Sequence, residues 1–493
     1  MAQQLLAREA DAAVPSQGWS EDWLSVAAGL LIFALALALL AGADLLGWAT
    51  APRTWLDIAR AVRPSSATYA QLDGPVTLIA TFSFVLFVMT IGAVLLRAHV
   101  VRFIVSFTVV FWLAYLCWVL GNYAYIAVTT PAEMQRLGLG WSLRLTGESG
   151  YLIALIVGLL IANFLPGFAV WLNEAVRPEL YIKIAIVVLG GTLGVKAAEQ
   201  LGLASSIMLR GLAAIIEAYL IYWAVVYFVA RKWFGFSREW AAPLASGISI
   251  CGVSAAIATA GAIRARPMVA VMVSSLVVLF AMVELLILPF AARIFFGDEP
   301  MVAAAWMGLA VKTDGAAVAS GAITEALIYA DAASQGIKYD KGWIVGTTTT
   351  LKIFIDIFIG VWSFLLAYIW TRHIEPRRPG DELRAGEIWE RFPKFVLGFT
   401  ATFLIVLLIG FNASPALLKI LNASMDQANV FRQLFFLLTF ITIGLMSDVR
   451  ALWQEGIGKL AAVYVVSLFG FVIWVGLFIS WMFFHGLKPP ISG

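Results

Sequence analysis

Long apolar stretches, separated by short polar connections, dominate the chain from residue 24 onward. A helix that crosses a bilayer needs about 20 mostly apolar residues. By this measure we predict an all-α polytopic membrane protein of about thirteen spans, two of which are Gly-rich and expected to be broken or re-entrant. The predicted limits are 24–46, 76–97, 101–128, 149–166, 180–200, 206–232, 239–264, 267–292, 301–326, 342–371, 393–411, 430–449 and 457–484.

Composition agrees with this pattern. Hydrophobic residues make up 62% of the chain and charged residues 13%, against roughly 45–50% and 25% in soluble domains. The first apolar stretch is longer than the apolar part of a signal peptide, which runs to about 15 residues, so we interpret it as a retained span. A net charge of +3, without basic runs interleaved with aromatic residues, argues against nucleic-acid binding.

The sequence offers few cysteines and histidines that could bind a metal or catalyse a reaction. Cys117 and Cys251 both lie in apolar segments, so we expect neither a disulfide framework nor a cysteine-based metal site. The three histidines are scattered near segment ends and form no local cluster. We therefore expect no cofactor, no resident metal and no enzymatic activity.

Charged residues in the apolar stretch 301–325 are the first functional candidates. Lys312, Thr313, Asp314 and Gly315 are consecutive near its middle. An ionisable side chain in hydrocarbon costs roughly 2.5–3.5 kcal/mol, so it persists mainly beside a partner or a polar pathway. We expect Lys312 and Thr313 to bind an anionic substrate, Asp314 to take a proton or sodium, and Gly315 to let the backbone open. The alternative is a satisfied ion pair that holds the bundle in register.

Small residues crowd the segment 246–263, which includes Ser249, Cys251, Gly252 and Ser254. A helix broken here directs free N–H groups and the positive end of a half-helix dipole at whatever fills the gap. We therefore predict that these four residues contact the substrate. The alternative is close packing of continuous helices through small residues.

Four further positions carry charge inside apolar runs. Lys352 and Asp356 are four residues apart, so they share a helix face and can form a simple intrahelical salt bridge, or Lys352 can join Lys312 in binding a divalent anion. Glu217 and Glu284 are lone carboxylates. Burial favours their protonated form, which suits a proton carrier and equally a permanently neutral, hydrogen-bonded acid. Asp356, Glu217 and Glu284 join Asp314 as ion-coupling candidates.

Two internal sequence similarities suggest repeats. Residues 190–202 match 444–456 at several offsets, and a fainter similarity links the stretch from Gly252 to the stretch from Gly315. Chance agreement among small residues is the alternative. Inverted repeats are common in secondary transporters, whose substrate site lies between the repeats near the bilayer midplane.

Three segments together resemble the sulfate exporter (YeiH-type) family of bacterial membrane proteins: SGISICGVSAAIATAGAI, WMGLAVKTDGAAVASGAI and TLKIFIDIF. The similarity covers roughly residues 149–485. It implies a multi-pass transporter of anions in the bacterial inner membrane, with an inverted-repeat fold and a homodimeric assembly. The chain departs from the family where Lys312 and Thr313 replace a usual histidine and acid. We divide it into a polar segment 1–23, additional N-terminal transmembrane helices 24–130 and a transporter core 131–488.

We predict a secondary active transporter that moves a small anion of the sulfate, sulfonate or carboxylate class by alternating access, coupled to protons or sodium. One alternative is a cation/proton antiporter that uses Asp314 and Asp356. An intramembrane enzyme or a membrane scaffold is the alternative from another class.

Overall fold

The computed structural model describes residues 19–128, 131–143, 147, 149–199, 201–374, 393–447 and 458–491. Within these ranges, nine helices are long and apolar enough to cross a membrane, or ten if a bent pair counts as one span. The all-α polytopic fold and the multi-pass membrane location are confirmed. Residues 1–18 of the predicted polar segment lie outside the described part of the chain.

Seventeen helices are labelled here in chain order. They are α1 (Glu21–Leu37), α2 (Gly74–Leu95), α3 (Val100–Gly121), α4 (Ser149–Phe164), α5 (Pro166–Trp171), α6 (Pro178–Glu199), α7 (Leu201–Trp233), α8 (Arg238–Ser249), α9 (Val253–Ala262), α10 (Pro267–Phe296), α11 (Pro300–Ala310), α12 (Asp314–Ser334), α13 (Trp343–Ile357), α14 (Ile359–Ile369), α15 (Phe395–Phe411), α16 (Pro415–Met446) and α17 (Gly458–Phe484). Between α1 and α2, strand β1 (Thr50–Pro52) pairs antiparallel with β2 (Val62–Pro64), and Thr50 lies opposite Pro64.

The predicted number of about thirteen spans is not confirmed, for reasons of length and continuity. The predicted span 149–166 bends by 110° between Ser149–Phe164 and Pro166–Ala175. The predicted spans 239–264 and 301–326 are each interrupted, and α8, α9 and α11, with 12, 10 and 11 residues, are too short to cross by themselves. Helix α15 has 17 residues and falls just short.

Continuous helices α1, α4, α6, α15 and α16 pack together and are called the scaffold bundle. Glycines allow two of its close contacts. A Cβ added to Gly158 of α4 would lie 2.3 Å from the carbonyl oxygen of Ile441 on α16. A Cβ added to Gly190 of α6 would lie 2.4 Å from the carbonyl oxygen of Phe399 on α15. Backbones therefore approach closely without side chains between them, as small residues permit in membrane bundles.

Helices α7 to α14 and α17 form the second group, called the broken-helix bundle. Its two interruptions fall at residues 250–252, between α8 and α9, and at residues 311–313, between α11 and α12. Both Gly-rich segments are therefore broken, as predicted. The break near Lys312 precedes Gly315, which lies inside α12, so the expectation that Gly315 opens the backbone is wrong.

The repeat between residues 190–202 and 444–456 stays a prediction. The first segment runs into the end of α6 and the second starts at the end of α16. Residues 200 and 448–457, which carry much of the similarity, lie outside the described residues.

Candidate functional site: the crossing of two interrupted helices

The two interruptions meet inside the broken-helix bundle. Gly252 has φ +70°, and a Cβ built on it would lie 2.8 Å from Thr313 Cγ2 and 3.1 Å from the carbonyl oxygen of Lys312. Only glycine suits this backbone angle and this spacing without strain. Residues 250–252 and 311–313 are together called the helix crossing.

Lys352 of α13 joins the two breaks. Its side chain is 2% exposed, and Nζ donates hydrogen bonds to the carbonyl oxygens of Ile250 at 2.8 Å and of Lys312 at 3.4 Å. These carbonyls lie where α8 and α11 end, and the carboxyl end of a helix carries partial negative charge. One buried ammonium thus stabilises the interrupted ends of both helices.

Three potential ligand side chains surround this ammonium. Ligand atoms of Cys251, Asp314 and Asp356 all lie within 4.8 Å of one another, and all three residues are buried. Lys352 Nζ lies 3.9 Å from Asp314 Oδ1. Apart from each other, Oδ1 of Asp314 and both carboxylate oxygens of Asp356 have no hydrogen-bond partner among the described residues. Buried carboxylate oxygens without donors are costly, so this cluster is suited to bind a proton or another cation.

The ion pair that Lys352 makes differs from the simplest interpretation of its sequence spacing. Within the described residues, the ion pair of Lys352 is with Asp314 of α12, and none within 4.0 Å joins it to Asp356 on its own helix. The spacing of four therefore places the two side chains on one face without forming an intrahelical salt bridge.

Lys312 contributes mainly its backbone to the helix crossing. Its N–H donates to Glu284 Oε2 at 3.0 Å. Its Nζ contacts the carbonyl oxygen of Leu309 and lies 4.3 Å from the centre of the Tyr222 ring. The ammonium therefore faces α7, and Glu284 satisfies a backbone donor that the break leaves without a helical acceptor.

Glu217 belongs to a second buried polar group on α7. It opens a wide helical turn, Glu217–Tyr222, and its buried carboxylate lies beside the Tyr222 hydroxyl, which donates to the carbonyl oxygen of Val472 at 2.8 Å. A Cβ on Gly476 would lie 3.4 Å from Glu217 Oε1 and 2.6 Å from the Tyr222 hydroxyl. Gly476 of α17 therefore leaves room for both groups, and wide turns of this kind are frequent at functional sites.

The other residues that we predicted to contact the substrate differ in their surroundings. Thr313 caps α12, because its hydroxyl accepts the N–H of Ala316 at 3.2 Å. The Ser249 hydroxyl is buried with no partner among the described groups. A Cβ on Gly315 would lie 3.7 Å from Ile182 Cγ2, so this glycine faces the scaffold bundle. The side chain of Ser254 lies outside the described part of the structure.

The sequence interpretation missed a small opening, of about 40 Å³, between the two bundles. Its polar lining joins Arg432 of α16 to Glu325 of α12 and to Lys341, which is exposed. Glu325 accepts backbone N–H groups of Gly342 at 2.6 Å and Ile344 at 3.0 Å, at the start of α13. Arg432 comes just before the apolar run 434–446 of α16, and a cation beside such a run is the sequence signal that identifies it as a candidate.

Comparison with known proteins identifies the family. The family described as Conserved hypothetical protein 698 matches residues 138–463. A UPF0324 membrane protein of Nitrosomonas europaea is 40% identical over 96% of this chain and 97% of its own length. The chain belongs to this family. The matched residues include both interruptions and Lys352.

Two further relatives match shorter parts. An uncharacterized protein of Archaeoglobus fulgidus is 48% identical over 29% of this chain and 87% of its own length. A UPF0324 membrane protein of Rhodopirellula baltica is 30% identical over 61% of this chain and 51% of its own. No solved structure matches the chain significantly. These comparisons support a membrane protein of the UPF0324 type, and their descriptions name no solute.

Proposed function

We propose that this UPF0324 family member is a secondary active transporter of a small anion of the sulfate, sulfonate or carboxylate class, coupled to protons by alternating access. The observation that carries the proposal is the buried ammonium of Lys352, which lies between two interrupted helices and near Asp314. Interrupted helices at a buried charged site are typical of secondary transporters. The proposal makes the protein a carrier and assigns it no catalysis.

Competition for Lys352 explains how coupling works in this proposal. In the described state the ammonium is held by two carbonyl oxygens and lies near Asp314. When Asp314 and Asp356 take up protons, they lose the charge that competes for the ammonium. An anion then gains the field of Lys352 and of the amino ends of α9 and α12, which carry partial positive charge. Protons and anion therefore bind together and leave together.

In this proposal the anion enters at the opening between the bundles. Lys341 and Arg432 lie in its lining, on opposite bundles. Cationic groups at the mouth of a cleft raise the local concentration of an anion. The opening faces α12 and α13, the helices that carry Asp314 and Lys352.

A cation/proton antiporter is the second candidate, and one observation favours it. Cys251, Asp314 and Asp356 bring three ligand atoms within 4.8 Å of one another, and carboxylate oxygens are preferred ligands of sodium-like hard cations. In that case the same carboxylates exchange a sodium ion for protons and no anion is involved.

Transport in proteoliposomes tests the proposal. An inward proton gradient should accelerate uptake of labelled sulfate by the purified protein, Asp356→Asn should remove the dependence on the gradient, and Lys352→Ala should reduce uptake at least ~10-fold, the factor that about 1.4 kcal/mol represents. Lys419→Ala, an exposed lysine of α16, is the matched control. Substrate competition by sulfonates and carboxylates then ranks the solutes.

Two outcomes would contradict the proposal. Uptake that ignores both the gradient and the Lys352 substitution would remove the anion site. Sodium-driven proton movement without uptake of any tested anion would favour the antiporter.

A further inference from the structure

We propose that Cys251, Asp314 and Asp356 form a binding site for a thiophilic divalent metal ion of the Zn²⁺ and Cd²⁺ class. The inference uses carboxylates of the proposed transport site, but metal binding does not require that the protein transports anything. It adds a ligand class that neither the family description nor the sequence pattern indicates.

The positions of the three side chains fit such an ion. Cys251 lies in the first interruption, Asp314 begins α12 after the second interruption, and Asp356 lies on α13. Their ligand atoms are within 4.8 Å of one another. In tetrahedral coordination with Zn–S of about 2.3 Å and Zn–O of about 2.0 Å, sulfur and oxygen ligands are about 3.5 Å apart. An inward shift of roughly an ångström therefore closes the site.

The cluster has unmet capacity for a cation. Asp356 is 1% exposed, and apart from the carboxyl group of Asp314 its oxygens have no hydrogen-bond partner among the described residues. Oδ1 of Asp314 likewise has no other hydrogen-bond partner among the described residues. Three protein ligands also leave the fourth position of a tetrahedral ion open for water or a solute.

Charge balance favours a divalent ion over a monovalent one. When the metal binds, the Cys251 thiol and any carboxyl group of Asp314 or Asp356 that carries a proton release their protons to solvent, because metal ligands must be deprotonated. The thiolate and two carboxylates then carry three negative charges, which the divalent metal and the neighbouring Lys352 ammonium balance. A buried cluster of zero net charge avoids the cost of an uncompensated charge. The thiolate selects soft metals over magnesium or calcium.

The spacing of residues along the sequence could not indicate this site. The expectation of no cysteine-based metal site rested on the isolation of Cys251 in an apolar segment. Its partners come from two other helices, which only the fold brings together.

Cadmium titration of the purified full-length protein tests the inference, because a cadmium–thiolate bond produces an ultraviolet charge-transfer band. The chain has two cysteines, so Cys117→Ser leaves Cys251 as the only thiol and serves as the matched control. We expect a band that saturates at one Cd²⁺ per chain in the wild type and in Cys117→Ser, and no band in Cys251→Ser. A large excess of Ca²⁺ should leave the band unchanged.

Carboxylate substitution supplies a second measurement that does not depend on removing the thiol. Losing second-shell partners already weakens metal binding by about 10–100-fold, so Asp356→Asn should raise the Kd for Cd²⁺ at least 10-fold. Asp57 is exposed and far from Cys251 in the sequence, so Asp57→Asn should leave the Kd for Cd²⁺ unchanged. A wild type without a band, a band that survives in Cys251→Ser, or an unchanged Kd in Asp356→Asn would overturn the inference.

Failure of this inference is distinguishable from failure of the transport proposal. Proton-coupled sulfate uptake without a cadmium band removes the metal site alone. A cadmium band at Cys251 in a protein that moves no anion removes the transport proposal alone.

Discussion

The scaffold bundle and the broken-helix bundle place their charges differently. In the scaffold, Lys183 of α6 lies 2.9 Å from Asp22 near the starts of α6 and α1, where helix ends provide polar surroundings. In the broken-helix bundle, Lys352 and Asp314 lie at the helix crossing and are 2% and 5% exposed at their side chains. The first ion pair links the ends of two helices. The second lies at an interruption in the interior of the bundle.

Glycine also has different purposes in the two bundles. Gly158 and Gly444 of the scaffold lie where α4 and α16 touch, and a Cβ on either would fall within 2.4 Å of a backbone oxygen on the other helix. Gly252 of the broken-helix bundle instead adopts φ +70° at a break. Glycines of the scaffold bundle therefore allow close helix packing, whereas Gly252 allows the helix to be interrupted.

Removing a lysine from each bundle should give the largest contrast. Lys352→Ala leaves the carbonyl oxygens of Ile250 and Lys312 and the carboxylate of Asp314 without their cation. Breaking a buried pair costs about 3–5 kcal/mol. Lys183→Ala removes a pair whose side chains are 12% and 26% exposed, so water can compensate more of the loss. Thermal melting in detergent should show a much larger fall in Tm for Lys352→Ala, and equal falls would contradict the distinction between the bundles.

Gly252→Ala should give the next effect, on transport as well as on stability. Its Cβ would meet Val277 Cγ1 at 2.7 Å and Thr313 Cγ2 at 2.8 Å, at a backbone angle that costs a non-glycine residue about 1–3 kcal/mol. The helix crossing must shift to relieve this strain. We expect uptake per folded molecule to fall, with Gly261→Ala, which meets no atom within 4 Å, as control. Normal uptake by Gly252→Ala would argue against a functional role for the crossing.

Gly158→Ala should affect stability alone. Its Cβ would press against backbone atoms of α16, and overpacking of this kind costs about 1–3 kcal/mol. We expect a lower Tm and unchanged uptake per folded molecule, because the contact lies away from the helix crossing. Gly202→Ala, with open space around it, should change neither quantity. If Gly158→Ala abolished uptake in the folded protein, the division of labour between the bundles would be wrong.

The sequence predicts the bundle and both interruptions because apolar length and clustered glycines are local signals. It also draws attention to Lys312, Asp314, Lys352 and Asp356, since charges in apolar runs are rare. It does not predict that Lys352 binds backbone carbonyls of Ile250 and Lys312, because carbonyl groups have no sequence signature.

Side-chain direction is the other quantity that spacing does not reveal. The two lysines look equivalent in sequence, yet Lys312 directs its ammonium over Tyr222 while Lys352 occupies the helix crossing. The break before α12 likewise falls ahead of Gly315, because Thr313 rather than the glycine caps the new helix. The homodimer and the coupling to protons or sodium stay predictions.

Accessibility of Cys251 tests most directly whether the helix crossing opens to water. In Cys117→Ser, Cys251 is the only thiol, and it is 2% exposed in the described state. A negatively charged, membrane-impermeant thiol reagent applied to the protein in membranes should modify Cys251, and saturating sulfate should slow the modification. Cys251→Ser in the same background is the blank. A Cys251 that stays unmodified with and without sulfate, while the denatured protein reacts fully, would contradict a water-accessible site at the crossing.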